Sequence, residues 1–330
     1  MRHTMTHGMA YATLHFYMNA PTPLDPKFTW QYFTRKQAPF IQSLIDAYPF
    51  PFQRRLLMAR WLNQSHAKGI EYHYDVSNEF YKLFLDRHFM FYSCADFASD
   101  QDNLETAQRR KADHLLRLIA PVAGERILEL GCGWGSMLRH IHEATGDKDS
   151  LTGMTLSKEQ ARYIREKFGF NVRLEDFITT NYEPGSYDKI YSIGAMEHVR
   201  PNEILPLLRK LHGALKPNGR MVHHFFSLNS GWRPTSTIAG QLIFPGSELA
   251  LHTHHLWAAR EAGFDVVHDS THDYRPTLKA WFNRLAKNRD KAVELVGVET
   301  YNRYLAFFPS AWVMFDRKQV TLHRLVMVKQ

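Results

Sequence analysis

The sequence predicts an α/β protein: a doubly wound, mostly parallel seven-stranded sheet with helical additions at the N-terminus. Short apolar runs alternate with helical patterns from residue 126 onward. Such alternation is typical of parallel sheets covered by helices on both faces. A glycine-rich segment follows the first apolar run, at the sheet edge where these folds bind ligands. The candidate strands are residues 126–130, 150–154, 171–175, 188–193, 220–226, 264–269 and 319–329.

Length and composition fit one globular domain with additions. Of the 330 residues, 44% are hydrophobic and 22% are charged, which is ordinary for a folded protein. No apolar run reaches the roughly 18 residues that a transmembrane helix needs, and no signal-peptide pattern opens the chain. The two cysteines give no disulfide framework. We therefore expect a cytoplasmic protein.

The net charge of +8 favours an anionic partner. We expect no nucleic-acid role, because the net charge is the only sequence feature that favours one. Residues 1–69 are predicted to be an N-terminal extension. Within it, the stretch 52–62 combines Arg54, Arg55 and Arg60 with apolar residues, a pattern typical of amphipathic helices on anionic membranes. Packing of that helix on the main domain is the alternative, so peripheral attachment at the inner face of the membrane stays open.

A glycine loop after the first candidate strand is the strongest functional signal. The run Arg126-Ile-Leu-Glu-Leu-Gly-Cys-Gly-Trp-Gly135 ends in three alternating glycines. Glycines let the backbone turn tightly and approach a ligand, and the following helix points free N–H groups at it. The spacing G-x-G-x-G differs from the G-x-G-x-x-G of dinucleotide folds. With Glu129 in the strand, the run resembles motif I of class I S-adenosylmethionine (SAM) methyltransferases, which makes Gly131 and Gly133 candidate cofactor contacts.

The ends of the next two strands supply further candidate SAM contacts. Most class I methyltransferases carry an acidic residue at the end of the second strand. In this sequence, none of the first three residues after Gly153 is acidic. Thr155 and Gln160 are predicted to hydrogen-bond the ribose instead. At the end of the third strand, Asp176 can accept a hydrogen bond from the adenine amino group and Phe177 can stack on the ring. All these positions lie at successive strand ends of one sheet.

Several further segments, together with motif I, resemble the cyclopropane-fatty-acyl-phospholipid synthases and the related mycolic acid cyclopropane synthases. Each segment is weak alone, but their order and spacing are specific. The likeness covers roughly residues 70–330, which we interpret as a SAM-dependent methyltransferase domain with a helical cap over an acyl pocket. The segments are His73–Phe80, Tyr92–Ala95, Gly153–Gln160, Ser192–His198 and Ile243–Gly246.

The resemblance implies methylene transfer from SAM to the cis double bond of an unsaturated fatty acyl chain. The alkene attacks the SAM methyl group, and bound bicarbonate takes a proton from the resulting carbocation before the ring closes. The implied bicarbonate site comprises Glu197, His224, Tyr274 and Cys94, the last mainly through its backbone. The implied SAM contacts are Tyr92, Ser93, Gly131, Gly133, Thr155, Gln160 and Phe177.

Two departures from the family pattern concern the acyl pocket. Phe226 stands where the family has an isoleucine two residues beyond the active-site histidine. The segment Phe308–Phe315 is bulkier than the family's small-residue segment and includes Trp312. Both changes are expected to reshape the acyl pocket, so they affect the substrate and product more than the SAM chemistry.

Partners and products stay open in several respects. The expected substrate is an unsaturated fatty acyl phospholipid or another acyl lipid, and a homodimer is one option. A hydride shift in the cation would instead give a methylene or methyl-branched chain. Small-molecule N-methylation is a second alternative, because plant alkaloid N-methyltransferases share many of these motifs. We expect no metal, since the run Leu251-His-Thr-His-His255 lacks the i, i+4 spacing of helical zinc sites.

Overall fold

The computed structural model describes residues 18–35, 77–229 and 248–330. The stretch 52–62 and the predicted boundary after residue 69 lie outside these residues, as do Ile243–Gly246 and the first half of His73–Phe80. Contacts divide the chain into two compact units. The described residues of the first are 18–35, 77–85, 248 and 275–320, and the second comprises 86–229, 249–274 and 321–330.

The main helices occupy both units. In the first they are α1 (Pro26–Thr34), α2 (Asn78–Tyr81), α8 (Arg275–Lys287) and α9 (Arg289–Asp316), the last interrupted at Gly297. In the second they are α3 (Leu104–Ile119), α4 (Ser136–Thr145), α5 (Lys158–Phe168), α6 (Pro201–Ala214) and α7 (His252–Glu261). No helix of the described ranges is long and apolar enough to cross a membrane.

The second unit holds a seven-stranded sheet, and all seven candidate strands are confirmed. The order across the sheet is β3-β2-β1-β4-β5-β7-β6. The pairs β1–β2, β2–β3, β1–β4 and β4–β5 are parallel, and β6–β7 is antiparallel. The strands are β1 (Ile127–Leu130), β2 (Leu151–Thr155), β3 (Asn171–Leu174), β4 (Tyr187–Ile193), β5 (Leu215–Leu228), β6 (Phe264–His272) and β7 (Val320–Lys329).

Helices cover both faces of this sheet, as the doubly wound prediction requires. Leu115 of α3, Ile141 of α4 and Ile164 of α5 are buried in one apolar cluster. Leu207 of α6 and Ala258 of α7 are buried in the other. Fully burying one such leucine or isoleucine contributes about 1.5–3 kcal/mol. The two clusters therefore stabilise the sheet between its helical layers.

The sequence of residues 70–120 predicts helix interrupted by a turn at Asp75–Asn78, and this prediction is wrong for the segment between α2 and α3. That segment has turns and irregular backbone rather than helix. The buried carboxylate of Asp86 accepts hydrogen bonds from the backbone N–H groups of Phe89, at 2.6 Å, and Phe91, at 3.0 Å. Met90 between them has a positive φ of 52°. Such local side-chain bonds compete with the helical pattern.

In the first unit, a buried asparagine ties the segment before α1 to α9. Oδ1 of Asn302 accepts from the backbone N–H of Leu24 at 2.9 Å, and its Nδ2 donates to the carbonyl of Thr22 at 3.0 Å. Trp312, one of the departures from the family pattern, lies edge-on to Trp30 with ring centroids 5.9 Å apart.

Candidate active site

The glycine loop after β1 forms an open turn at the carboxyl ends of the parallel strands. Gly131, Gly133 and Gly135 all have positive φ, at 70°, 52° and 75°. A Cβ on Gly131 would meet Cβ of Ala195 at 2.8 Å, whereas one on Gly133 would have nothing within 4 Å. Helix α4 starts here without a side-chain cap. The loop thus offers open space at Gly133 beside an uncapped helix N-terminus, which fits a bound cofactor.

Glu129 is not available as a charged strand-end acid. It is buried in β1 and accepts a hydrogen bond from the hydroxyl of Tyr191 at 2.9 Å. Burial raises the pKa of this carboxyl to about 8. Glu129 is therefore neutral at pH 7 and braces β1 against β4 beneath the glycine loop.

Thr155 and Gln160, the predicted ribose contacts, bind each other. The hydroxyl of Thr155 donates to Oε1 of Gln160 at 2.8 Å and accepts from the backbone N–H of Ser157 at 3.1 Å. Both side chains are buried. Because Oε1 of Gln160 is occupied, the amide nitrogen is the group that Thr155 orients for a ligand. The ribose contact itself stays a prediction.

Asp176 and Phe177 lie directly after β3, as predicted from the sequence. A carboxylate oxygen of Asp176 accepts from the backbone N–H of Ile178 at 2.9 Å, so this side chain caps a turn. Phe177 packs, partly buried, against the apolar cluster under α6 and α7. The capped turn holds both residues at the strand end, and their contacts to adenine stay a prediction.

Ser93 is fixed by a buried lysine that sequence reasoning missed. Nζ of Lys111 donates to Oγ of Ser93 at 2.8 Å and lies 3.5 Å from the ring centroid of Phe91. Gln108 also donates to the Ser93 carbonyl at 3.0 Å. Burial lowers the pKa of Lys111 to about 7. The segment with Tyr92, Ser93 and the fully buried Cys94 is thus anchored on α3.

Cys94 and Tyr274 come from distant parts of the sequence and lie on adjacent chain segments. Sγ of Cys94 lies 3.5 Å from the carbonyl oxygen of Asp273, the residue before Tyr274. The ring of Tyr274 is 6.5 Å from that of Phe226, centroid to centroid. Cys94 and Tyr274, two predicted bicarbonate contacts, therefore lie near each other. Phe226, which differs from the family pattern, lies near Tyr274.

His224 is fully buried on β5 and has a defined tautomer. Its Nδ1 accepts a hydrogen bond from Nε of Arg324 at 3.1 Å, so the ring proton is on Nε2. Burial, with the positive charges of Arg324 and Lys111, holds the pKa of this imidazole well below its usual range. Nε2 has no hydrogen-bond partner among the described residues. His224 is thus a neutral donor with an unused N–H.

Glu197 is on a short 3-10 turn (Met196–His198) that follows β4, the strand paired with the strand of His224. The backbone N–H of Gly194 donates to the carbonyl of His224 at 2.8 Å, and a Cβ on Gly194 would lie 3.7 Å from Oε1 of Glu197. Burial raises the Glu197 pKa to about 8. Its Oε2 is buried and forms no hydrogen bond within the described part of the chain.

A buried ion pair behind His224 was also missed by sequence reasoning. Arg324 on β7 is fully buried and binds both carboxylate oxygens of Asp96, at 2.6 and 2.8 Å. Nδ1 of His114 lies 2.6 Å from the same guanidinium. The Arg324 charge and its hydrogen bonds keep the pKa of Asp96 below its ordinary value despite burial. This network fixes the guanidinium that donates to Nδ1 of His224.

Sequence comparison shows the family to which these residues belong. The profile of the mycolic acid cyclopropane synthetase family matches residues 62–325. A probable fatty acid methyltransferase of Pseudomonas putida is 33% identical over 280 residues, which cover 81% of this chain and 70% of the relative. Cyclopropane mycolic acid synthase 2 of Mycobacterium bovis is 30% identical over 299 residues, with 79% and 94% covered.

Solved structures agree with the sequence comparison. The cyclopropane synthase MmaA2 from Mycobacterium tuberculosis superposes with a TM-score of 0.73 at 25% identity, over 81% of this chain and 99% of that one. CmaA1, a mycolic acid cyclopropane synthase complexed with SAH and CTAB, gives 0.71 at 27% identity over the same shares. Coclaurine N-methyltransferase, at 20% identity and TM-score 0.73, shares the fold. The chain therefore belongs to the mycolic acid cyclopropane synthetase family and is a SAM-dependent methyltransferase.

Proposed function

We propose that this enzyme transfers the methyl carbon of SAM to the cis double bond of an unsaturated fatty acyl lipid and closes a cyclopropane ring, with bicarbonate as the base. One observation carries the proposal: Nε2 of His224 and Oε2 of Glu197 are buried and lack hydrogen-bond partners among the described residues. Leaving such atoms unsatisfied is costly. The pair fits a small oxyanion that accepts hydrogen bonds from both side chains.

Bound SAM supplies an electrophilic methyl group. The alkene electron pair forms the new C–C bond while the C–S bond breaks, which leaves a cation on the acyl chain. The new methyl group loses a proton to bicarbonate, and the C–H electrons close the ring. Proton removal beside a cation needs little base strength but close positioning.

His224 and Glu197 provide that positioning by donating hydrogen bonds. The imidazole is neutral with its proton on Nε2, because Arg324 occupies Nδ1. Glu197, with its pKa near 8, carries a proton at neutral pH and donates an O–H. Two neutral donors attract an oxyanion without adding negative charge to the pocket. We assign the remaining bicarbonate contacts to Tyr274 and the Cys94 backbone.

The SAM contacts follow the strand ends. The open space beside Gly133 and the uncapped start of α4 suit the backbone approach of a ligand. We assign the ribose contact to the amide of Gln160, whose oxygen accepts a hydrogen bond from Thr155. We assign Tyr92, Ser93, Gly131, Asp176 and Phe177 to the same site.

The lipid substrate is supported by the named relatives, a probable fatty acid methyltransferase and cyclopropane synthases. The net charge of +8 suits an anionic bilayer surface. We therefore propose that residues 70–330 act on acyl lipids at the inner face of the membrane, aided by the extension 1–69. We assign Phe226, whose ring lies 6.5 Å from that of Tyr274, to the acyl side of the site.

Mass spectrometry of lipids from a host expressing the protein tests the function. Unsaturated acyl chains should each gain one CH2 unit, and the product should resist catalytic hydrogenation because a ring has no double bond. A product that takes up hydrogen would indicate a methylene branch. Unchanged lipids together with SAM-dependent methylation of amines would reject the lipid proposal. A Glu197→Gln host strain is the matched control.

A further inference from the structure

A second polar cluster lies on the opposite face of the sheet from His224. His323 directly precedes Arg324 on β7, and successive side chains of a strand point to opposite faces. Arg324 contacts His224, whereas His323 lies near Phe225, with ring centroids 6.2 Å apart. The cluster around His323 is therefore separate from the proposed bicarbonate site.

Three elements bring potential metal ligands together there: His252 at the start of α7, Asp269 on β6 and His323 on β7. Nε2 of His252 lies 2.7 Å from one carboxylate oxygen of Asp269, and Nδ1 of His323 lies 3.5 Å from the other. The two imidazoles stack with centroids 3.6 Å apart and an interplanar angle of 7°, so one ring has to rotate before both can face a single ion. All three ligand atoms lie within 4.8 Å of one another, and no other such group occurs in residues 18–35, 77–229 and 248–330.

The hydrogen bonding of this cluster is incomplete. The His323 side chain is only 6% exposed, yet neither of its ring nitrogens forms a hydrogen bond to the described residues. Its Nδ1 faces the Asp269 carboxylate at a distance too long for a normal hydrogen bond. A buried imidazole without partners is unfavourable unless a ligand completes it.

We propose that His252, Asp269 and His323 bind a divalent transition-metal ion of the Zn²⁺ type. Imidazole and carboxylate ligands suit this class. Metal–ligand distances of about 2.0–2.1 Å place neighbouring ligand atoms of a tetrahedral site roughly 3.3 Å apart. The 2.7 Å contact is a hydrogen bond between His252 and one oxygen of Asp269, and His323 lies 3.5 Å from the other oxygen, so the ion would replace that hydrogen bond. Asp269 and His252 keep some exposure, so a water molecule completes the coordination.

The ion would have a structural role. It would link the first residue of α7 to the antiparallel pair β6–β7, which lies at the edge of the sheet. The sequence expectation of no metal considered only the histidines of residues 251–255. The structure instead takes one ligand from that run and two from strands that follow it in the chain.

Titration of the untagged, metal-free protein with Zn²⁺ in a calorimeter tests the site. We expect one ion per chain and a higher melting temperature with Zn²⁺, since binding to the folded state stabilises it. Asp269→Asn and His323→Gln should each weaken Zn²⁺ binding by about 100-fold or more, above the 10–100-fold typical of residues behind the ligands. His268→Gln is the matched control, because His268 is next to Asp269 on β6 but bonds to Ser270.

A second readout does not depend on variants that fold. Co²⁺ bound to the wild-type protein should give the intense visible absorption of a tetrahedral nitrogen–oxygen site, and Zn²⁺ should abolish it. The proposal is overturned if Co²⁺ gives only the spectrum of the hydrated ion. Equal Zn²⁺ affinity in wild type, Asp269→Asn and His323→Gln would overturn it as well.

Discussion

Nε of Arg324 donates a hydrogen bond to Nδ1 of His224 at 3.1 Å, and this contact determines the tautomer of the histidine. A guanidinium stays protonated in proteins, so Nδ1 can only accept and the ring proton is on Nε2. Asp96 holds the same guanidinium through both carboxylate oxygens. Arg324 is therefore a positioning residue for the proposed donor of the bicarbonate site.

Replacing Arg324 with lysine tests this relationship. Arg324→Lys keeps the positive charge but removes the planar fork that binds Asp96 and His224 together. We expect turnover to fall by about 10–100-fold, the range for partners behind a functional ligand, while SAM affinity changes by a few-fold at most. Nitrogen NMR of labelled histidine should show that His224 loses its single Nε2–H tautomer.

Arg220→Lys is the control for that variant. Arg220 is on the same strand as His224 but donates to the carbonyl of Leu118, so the His224 tautomer and turnover should stay at wild-type level. An Arg324→Lys enzyme with wild-type turnover and an unchanged tautomer would contradict the positioning role.

Glu197 should make the fold less stable as pH rises. Its folded pKa is about 8, against a usual value of 4.5. Between those values the folded state keeps a proton that the unfolded state has lost, so wild-type stability decreases with pH. Glu197→Gln removes this dependence. Its stability relative to wild type should rise by up to about 1.4 kcal/mol per pH unit from 4.5 to 8, as measured by urea unfolding.

The same variant should also lose activity. Glutamine replaces the carboxylic O–H donor with a weaker amide N–H donor that positions bicarbonate less well, so we expect about a 10²-fold fall in turnover. SAM affinity should stay within a few-fold. Full turnover of Glu197→Gln in bicarbonate-free buffer would reject the bicarbonate mechanism and favour the amine-methyltransferase alternative.

The strands and the glycine loop could be predicted because their signals are local. Each strand is a short apolar run, and the loop glycines at 131, 133 and 135 all take the positive φ that glycine favours. The irregular segment after α2 was missed, since its shape depends on Asp86 capping backbone groups three and five residues on.

The supporting charges of the site could not be predicted in this way. Arg324 and Asp96 are 228 residues apart, and each looks like an ordinary surface charge in its own segment. Lys111 sits in α3 among other charged residues, and only tertiary packing shows that it is buried. A single sequence gives periodicity, but it does not give the pairing of distant charges.

Lys111 gives a pH dependence of the opposite sign to Glu197. Its pKa falls from 10.5 to about 7 in the folded protein. Between these values the unfolded state binds the extra proton, so wild-type stability rises with pH. Lys111→Met abolishes that slope. Its stability relative to wild type should therefore decrease by up to about 1.4 kcal/mol per pH unit between 7 and 10.5.

The Lys111→Met experiment also reports on the SAM site. Without Nζ, Oγ of Ser93 loses its 2.8 Å partner, and we expect SAM affinity to fall while His224 keeps its tautomer. Parallel stability curves for wild type and Lys111→Met across this pH range would show that Lys111 is charged and solvated in the folded protein.

Gly133→Val should remove SAM binding and leave the fold intact. A Cβ at Gly133 meets nothing within 4 Å, so the side chain does not clash with the protein and instead enters the space assigned to the cofactor.

The φ of 52° at Gly133 adds strain for a β-branched residue, and Gly185→Val is the control for this strain. Gly185 has a φ of 61° and equally open surroundings, and it precedes β4, away from the loop. Both variants should lose similar melting temperature, but calorimetry should show SAM binding only in Gly185→Val. Wild-type SAM affinity in a folded Gly133→Val protein would place the cofactor elsewhere.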